Sequence, residues 1–245
     1  MTRIPNSRSS TPGAAPRLLD ATQRRVLGVL IEKSKTTPGG YPMTVNAIVA
    51  GCNQKNNRDP LTALDDADVE NALNDLINLG VAEIIDWVGR VPKYKHLAYD
   101  WLSVGRGELA VLGELLLRGA QSLGELRGRA SRMEPIADLS ALKPIVDELV
   151  QSGLMIELTP PGRGQIVSHN LYPREELDEL RVRVSGLDSV AAGVQARGQV
   201  ASEAPGRPSE PPPTGNAEIA ELRAEVAELR RRVQDLEEKL DSRRS

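Results

Sequence analysis

The chain has one cysteine, Cys52, in 245 residues. A single thiol cannot close an internal disulfide or build a Cys-based zinc finger, and it fits a reducing compartment. A run of about 18 apolar residues, the minimum for a spanning helix, is also missing. The opening segment "MTRIPNSRSSTPGAAPR" is basic but lacks the apolar stretch of a secretory signal. The expectation is a cytoplasmic protein with no membrane partner. A basic excess is missing too, since the formal net charge is −3. Residues 20–100 hold nine Lys or Arg against eleven acids and residues 101–173 seven against eight, so neither half carries the positive field that nucleic-acid binding usually needs. Catalytic groups are scarce: two His and one Cys stand in no triad or metal-ligand spacing, so neither an enzyme nor a cofactor is expected. "GRGELA" matches a dinucleotide-binding fingerprint at Gly105, but no strand precedes it and a helix begins inside it.

What is present is a repeat. "LNDLINLGV" from Leu73 and "VDELVQSGL" from Val146 match at an offset of 73 residues. The same offset pairs the helix N-caps Asp65 and Asp138, and His96-x-x-Tyr99 with His169-x-x-Tyr172. Upstream, "VLGVLI" from Val26 matches "VLGELL" from Val111 at an offset of 85, so copy one carries a 12-residue insertion. Periodicity predicts helices over 20–34, 44–52 and 66–79, then strands "AEIIDWV" and "KYKHLAY" around "GRVP". In copy two it predicts helices over 107–118, 122–131 and 139–152, then "LMIEL" and "QIVSHNL" around "TPPGRG". Three helices and a hairpin is the winged-helix order. The fold expected is mostly α with small β-wings (α+β): two tandem winged-helix domains plus a C-terminal coiled-coil helix.

The segments "EKSKTTPGGYP", "CNQKNNRDP", "GRVPKYKH" and "ELAVLGELLLRGAQSLGELRGRASRM" resemble the YceH-like bacterial family. The resemblance covers roughly residues 18–173, and it implies a tandem winged-helix fold of unknown function. Members tend to carry an aromatic two residues before the wing His, as Tyr94 stands before His96; here Val167 takes that place before His169. The domains expected are a tail over 1–17, winged helices over 18–100 and 101–184, the second with a closing helix, a flexible linker over 185–217 and a coil over 218–245.

A helix-turn-helix reads base edges from its third helix. In copy one that helix carries Asp66, Asp68, Glu70 and Asp75 and no cation, and in copy two Lys143 stands against Asp147 and Glu148 with Pro144 in the first turns. Both are poor readers. The candidates for phosphate contact are therefore Arg90, Lys93 and Lys95 beside Tyr94 in the first wing, and Arg127, Arg129 and Arg132 on copy two's second helix. The alternative is that these are solvated surface charges. The insertion places Asn53, Gln54, Lys55, Asn56, Asn57 and Arg58 in a polar loop, either bonded locally or facing a partner. His96 and His169 read as structural residues of the hairpins, and Cys52 as a packing residue.

Near the C-terminus Ile219, Leu222, Val226, Leu229, Val233, Leu236 and Leu240 recur at alternating intervals of three and four. With Ile, Val and Leu at a and Leu at d, this seam favours a parallel two-stranded coil, in which Glu218 meets Arg223, Glu225 meets Arg230 and Arg232 meets Glu237. The partner expected is a second copy, joined through residues 218–241; the other reading is an amphipathic helix for its own domain or another protein. The function expected is a DNA-associated or regulatory factor; the alternative is a protein-interaction adaptor that ignores DNA.

Overall fold

The computed structural model describes residues 18–85 and 91–198, with side chains as far as 186. Helix α1 (Ala21–Thr36) starts at Asp20, which accepts the Gln23 N–H at 2.8 Å while Gln23 Oε1 accepts the Asp20 N–H. Such a capping box contributes about 1 kcal/mol. From Arg24 to Glu32 every residue of α1 is buried, so this helix is enclosed on all sides. A 3-10 turn at Pro38–Gly40 ends the passage, and α2 (Val45–Cys52) and α3 (Asp66–Asn78) follow.

Copy two repeats this order with α5 (Arg106–Arg118), α6 (Leu123–Ala130) and α7 (Leu139–Gln151). The outer helices correspond residue by residue. Val69, Leu73 and Leu76 of α3 and Leu142, Val146 and Leu149 of α7 form the same buried stripe at the offset of 73. Both end alike. Gly80 at φ 72° and Gly153 at φ 73° take the left-handed conformation that lets Val81 N–H reach Leu76 O and Leu154 N–H reach Leu149 O, each at 2.9 Å. Helix α7 runs through Pro144, whose ring faces outward.

Each copy then forms a hairpin, β1 (Ala82–Ile85) with β2 (Lys93–His96), and β4 (Met155–Glu157) with β5 (Ile166–His169). The registers correspond, since Ala82 faces His96 and Met155 faces His169. A further segment meets each hairpin: Met43 forms an isolated bridge with Tyr94 in copy one, where the sheet stays two-stranded, and β3 (Gln121–Ser122) pairs with β5 in copy two.

Most boundaries shift by one or two residues from the sequence reading, and two shift further. Strand β2 stops at His96, not Tyr99, because the imidazole Nδ1 accepts the Ala98 N–H at 3.3 Å and turns the chain into the single-turn helix α4 (Ala98–Leu102). Helix α8 (Arg174–Gly198) continues 14 residues into the stretch expected as linker. That stretch holds Gly186 and Gly193, which weaken a helix without stopping it, among Ala, Val, Leu, Gln and Arg, and its first proline is Pro205, so no proline ends the helix at 185. The remaining linker residues, 199–217, and the seam from Ile219 to Leu240 lie outside the described residues.

The two copies share one core. A single cluster of buried side chains runs from Leu19 to Leu171, and residues up to Gln195 form one compact unit. A second unit, from Ala196, falls almost wholly outside the described residues. Helices α1 and α5 pack directly, at two glycines. A Cβ on Gly28 would lie 3.2 Å from Leu116 Cβ, and one on Gly113 would lie 2.7 Å from Ile31 Cγ2. At the offset of 85, Gly28 corresponds to Gly113 and Ile31 to Leu116. The contact is therefore reciprocal, as across the two-fold axis of a dimer, and each helix approaches closely where the other has no side chain.

Candidate functional site

The outer faces come first, because the third helix is where this element order would meet a ligand. On α3, Asp66, Asp68, Glu70 and Asp75 are exposed together with Asn71, Asn74 and Asn78, and no cation lies among them. Asp68 accepts the N-cap Asp65 N–H, and Asp75 accepts from Gln23 Nε2 at 3.2 Å. On α7, Lys143 pairs with Asp147 at 3.5 Å, which leaves Glu148 as the unbalanced charge. Both helices present a negative outer face.

The sequence-derived basic residues have different surroundings. In the first hairpin Lys93 is exposed, whereas Lys95 is half-exposed and forms an ion pair with Glu83 on the facing strand. Arg90 lies outside the described residues. Arg127 donates to the carbonyls of Ile136 (3.1 Å) and Ala137, closing the turn after α6. Arg129 donates to Gln121 Oε1 at 2.7 Å and to Glu125 at 3.1 Å. Arg132 donates to Glu32 and, at 2.9 Å, to Glu114. The three arginines thus serve their own chain and are not gathered into an outward cationic patch.

The polar loop divides in two. Asn53 is held at both ends of its amide: Nδ2 donates to Leu64 O at 2.7 Å, and Oδ1 accepts from Leu64 N–H at 2.9 Å and Thr62 Oγ1 at 3.1 Å. Gln54 Oε1 accepts from Arg58. Asn57, at a left-handed φ of 56°, accepts from Arg118 at 2.6 Å. Arg58 is buried and donates to Gly51 O, Asn57 O, Gln54 and both oxygens of Glu32. Lys55 and Asn56 are exposed. The neighbouring Asp59 N–H reaches Leu117 O of α5 at 3.0 Å, so the insertion in copy one docks on copy two.

Around Arg58 the loop completes a buried ionic cluster that residue patterns alone did not single out. Glu32 and Glu114 are 2 % and 0 % exposed. Burial alone would raise the Glu32 carboxyl, but the hydrogen bonds and charges of Arg58 and Arg132 outweigh it and hold it below the usual range. For Arg132, burial acts to lower its pKa, and Glu114 and Glu32 reverse that and raise it. Arg118 Nε lies 3.0 Å from Glu114 Oε1, close enough to attract but not aligned as a hydrogen bond. Nearby, Arg25 holds Pro60 O at 2.6 Å. The available clue was a carboxylate inside each apolar helix, in "VLGVLIEK" and "AVLGELLL".

The histidines and the cysteine are built into the frame. His96 Nε2 lies 3.1 Å from Ser34 Oγ, and burial, with the charges of Lys35 and Lys95, pushes its pKa down to about 4. His169 is fully buried, accepts the Leu171 N–H at 3.2 Å and stacks on Tyr172 at 3.9 Å; burial and then Arg24 push it well below its usual value. Burial pushes the Cys52 thiol up to about 12, against the charges of Arg25 and Arg58. A thiol in that state is not a nucleophile at neutral pH. Among the described residues no group of three His, Cys, Asp or Glu could hold a metal ion, and no helix is long and apolar enough to cross a membrane.

Comparison with known proteins places these features in a family. Residues 19–163 match the family described as a protein of unknown function, DUF480. A UPF0502 protein of Rhodopirellula baltica is 52% identical over 163 residues, covering 66% of this chain and 69% of that protein. One from Geobacter sulfurreducens is 49% identical over 144 residues, 59% of this chain and 63% of the relative, and one from Koribacter versatilis is 41% identical over 184 residues, 74% and 85%. The matched region spans both repeats from α1 to the turn of the second hairpin, and the chain belongs to the DUF480, or UPF0502, family of uncharacterised bacterial proteins.

Proposed function

We propose that the chain is a non-catalytic cytoplasmic binding module, two winged helices fused into one body, whose outer helices α3 and α7 receive a basic protein partner. The winged-helix reading is supported by the repeated order of three helices and a hairpin, with a bridge at Met43 beside the first hairpin and a short third strand beside the second. The protein-partner reading rests on one observation: the exposed face of α3 carries four carboxylates and no cation. A phosphate-lined groove would repel that face, whereas Lys or Arg side chains of a protein would be drawn to it. The engagement of Arg127, Arg129 and Arg132 within the chain points the same way. A second reading, DNA association through the first wing, is favoured by the exposed Lys93. In it the chain is a regulator that grips the phosphate backbone without reading bases.

The test sets the two against each other. Full-length protein is presented with sheared genomic DNA at about 50 and 150 mM salt, and in parallel is cross-linked to its neighbours in the cells that produce it. The expected result is no DNA retention at either salt and a defined cross-linked protein that Asp66→Lys with Glu70→Lys releases. DNA retained at the lower salt, released at the higher and lost in Lys93→Glu would sink the protein-partner reading and install the second.

A further inference from the structure

The 12-residue insertion is not absorbed by the binding faces, since most of its polar side chains turn inward. We propose that the segment 53–60 is an interface element: its Arg58 holds Glu32, which Arg132 ties to Glu114, so that the two repeats open and close as one body in one register.

Gly28 and Gly113 let α1 and α5 approach, but what they meet is Leu116, Leu117 and Ile31. The glycines already oppose a slide, which would bring a Cβ into those close contacts. Charge adds a second constraint. If the helices slid by a turn, Glu32 and Glu114 would stay buried and lose partners, and an unpaired buried carboxylate is among the most costly defects a fold can carry.

The cluster is also built from both repeats. Glu32 lies on α1 and Glu114 on α5. Arg58 and Arg132 occupy the same place in their repeats, each in the segment after the second helix. Arg132 reaches both carboxylates, and so crosses from one repeat to the other. Two further bonds of the insertion cross as well, Asn57 to Arg118 and the Asp59 N–H to Leu117 O. Lys35 of α1 adds a contact to Glu134 at 3.5 Å and donates to Arg106 O. At the offset of 85, Glu32 corresponds to Leu117 and Glu114 to Val29, so the charges break the reciprocity that the glycines show. A buried ion cluster gains little net stability over apolar packing, and selection of a single arrangement is the role that geometry leaves for it.

Native-state hydrogen exchange on the full-length chain tests this, by following the slowest amides of α2 and α3 against those of α6 and α7 as denaturant is raised. The wild type should show one shared opening. Arg58→Met should split it, with the two sets of amides separated by about tenfold or more in opening constant. Lys55→Met, at an exposed residue of the same segment, should leave it whole. Asn57→Gly, which keeps the left-handed backbone and removes the bond to Arg118, serves if Arg58→Met does not fold, and should also split the openings. A wild type that already opens in two steps overturns the proposal. So does a single shared opening in Arg58→Met, or in Asn57→Gly where that variant takes its place.

Discussion

At the scale of single residues, the two histidines make the fold sensitive to acid. Each imidazole accepts a backbone N–H at Nδ1, from Ala98 for His96 and from Leu171 for His169, and a protonated ring cannot accept. In the unfolded chain each takes a proton near its ordinary value of about 6.5. In the fold His96 does so only near 4, and His169 lower than its ordinary value by a wide margin. Their contribution is therefore complete above pH 6.5 and is lost progressively as the pH falls, because only the unfolded state binds the protons in that window. For His96 the loss down to pH 4 is about 3 kcal/mol. Urea midpoints measured between pH 7 and 4.5 should fall steadily. Replacing His96 by Gln should cost stability at pH 7 and remove one proton from the slope; an unchanged slope would show that the ring titrates normally in the fold.

At the scale of elements, much was legible because the repeat reads itself twice. The caps Asp65 and Asp138, the stripes on α3 and α7 and the glycines that end them stand at one offset, and the structure places them alike. What was not legible depends on contacts between elements. Nothing in "KYKHLAY" marks His96 as the last strand residue, because the bond that turns the chain is made by its own side chain. The inward pull on Arg58 depends on Glu32, 26 residues away, and that on Arg132 on Glu32, 100 residues away. The glycines offer a direct check. Gly128, on the exposed side of α6, has open space around it, so Gly128→Ala should stabilise by about 0.5–1 kcal/mol through helix propensity. Gly113→Val would press on the stiff Ile31 side chain and should destabilise by about 2 kcal/mol or more. Thermal melts of the two variants should shift in opposite directions.

At the scale of the whole molecule, the heptad seam from Ile219 to Leu240 carries the expectation of a second copy. Sedimentation velocity at micromolar concentration should show self-association, and Leu229→Lys should abolish it while leaving helical content in the folded region unchanged. An unaltered sedimentation coefficient in that variant would remove the support for a coil-mediated dimer. The reciprocal meeting of α1 and α5 has a different dependence on how much protein is present. Two protomers joined by such a surface would part on dilution, but here both halves belong to one polypeptide joined through α4, so each sees the other at a fixed local concentration, of the order of millimolar for short connections. The pair is therefore complete even as a lone molecule in a cell. Abundance thus has no part in whether the two outer helices are held together on one body.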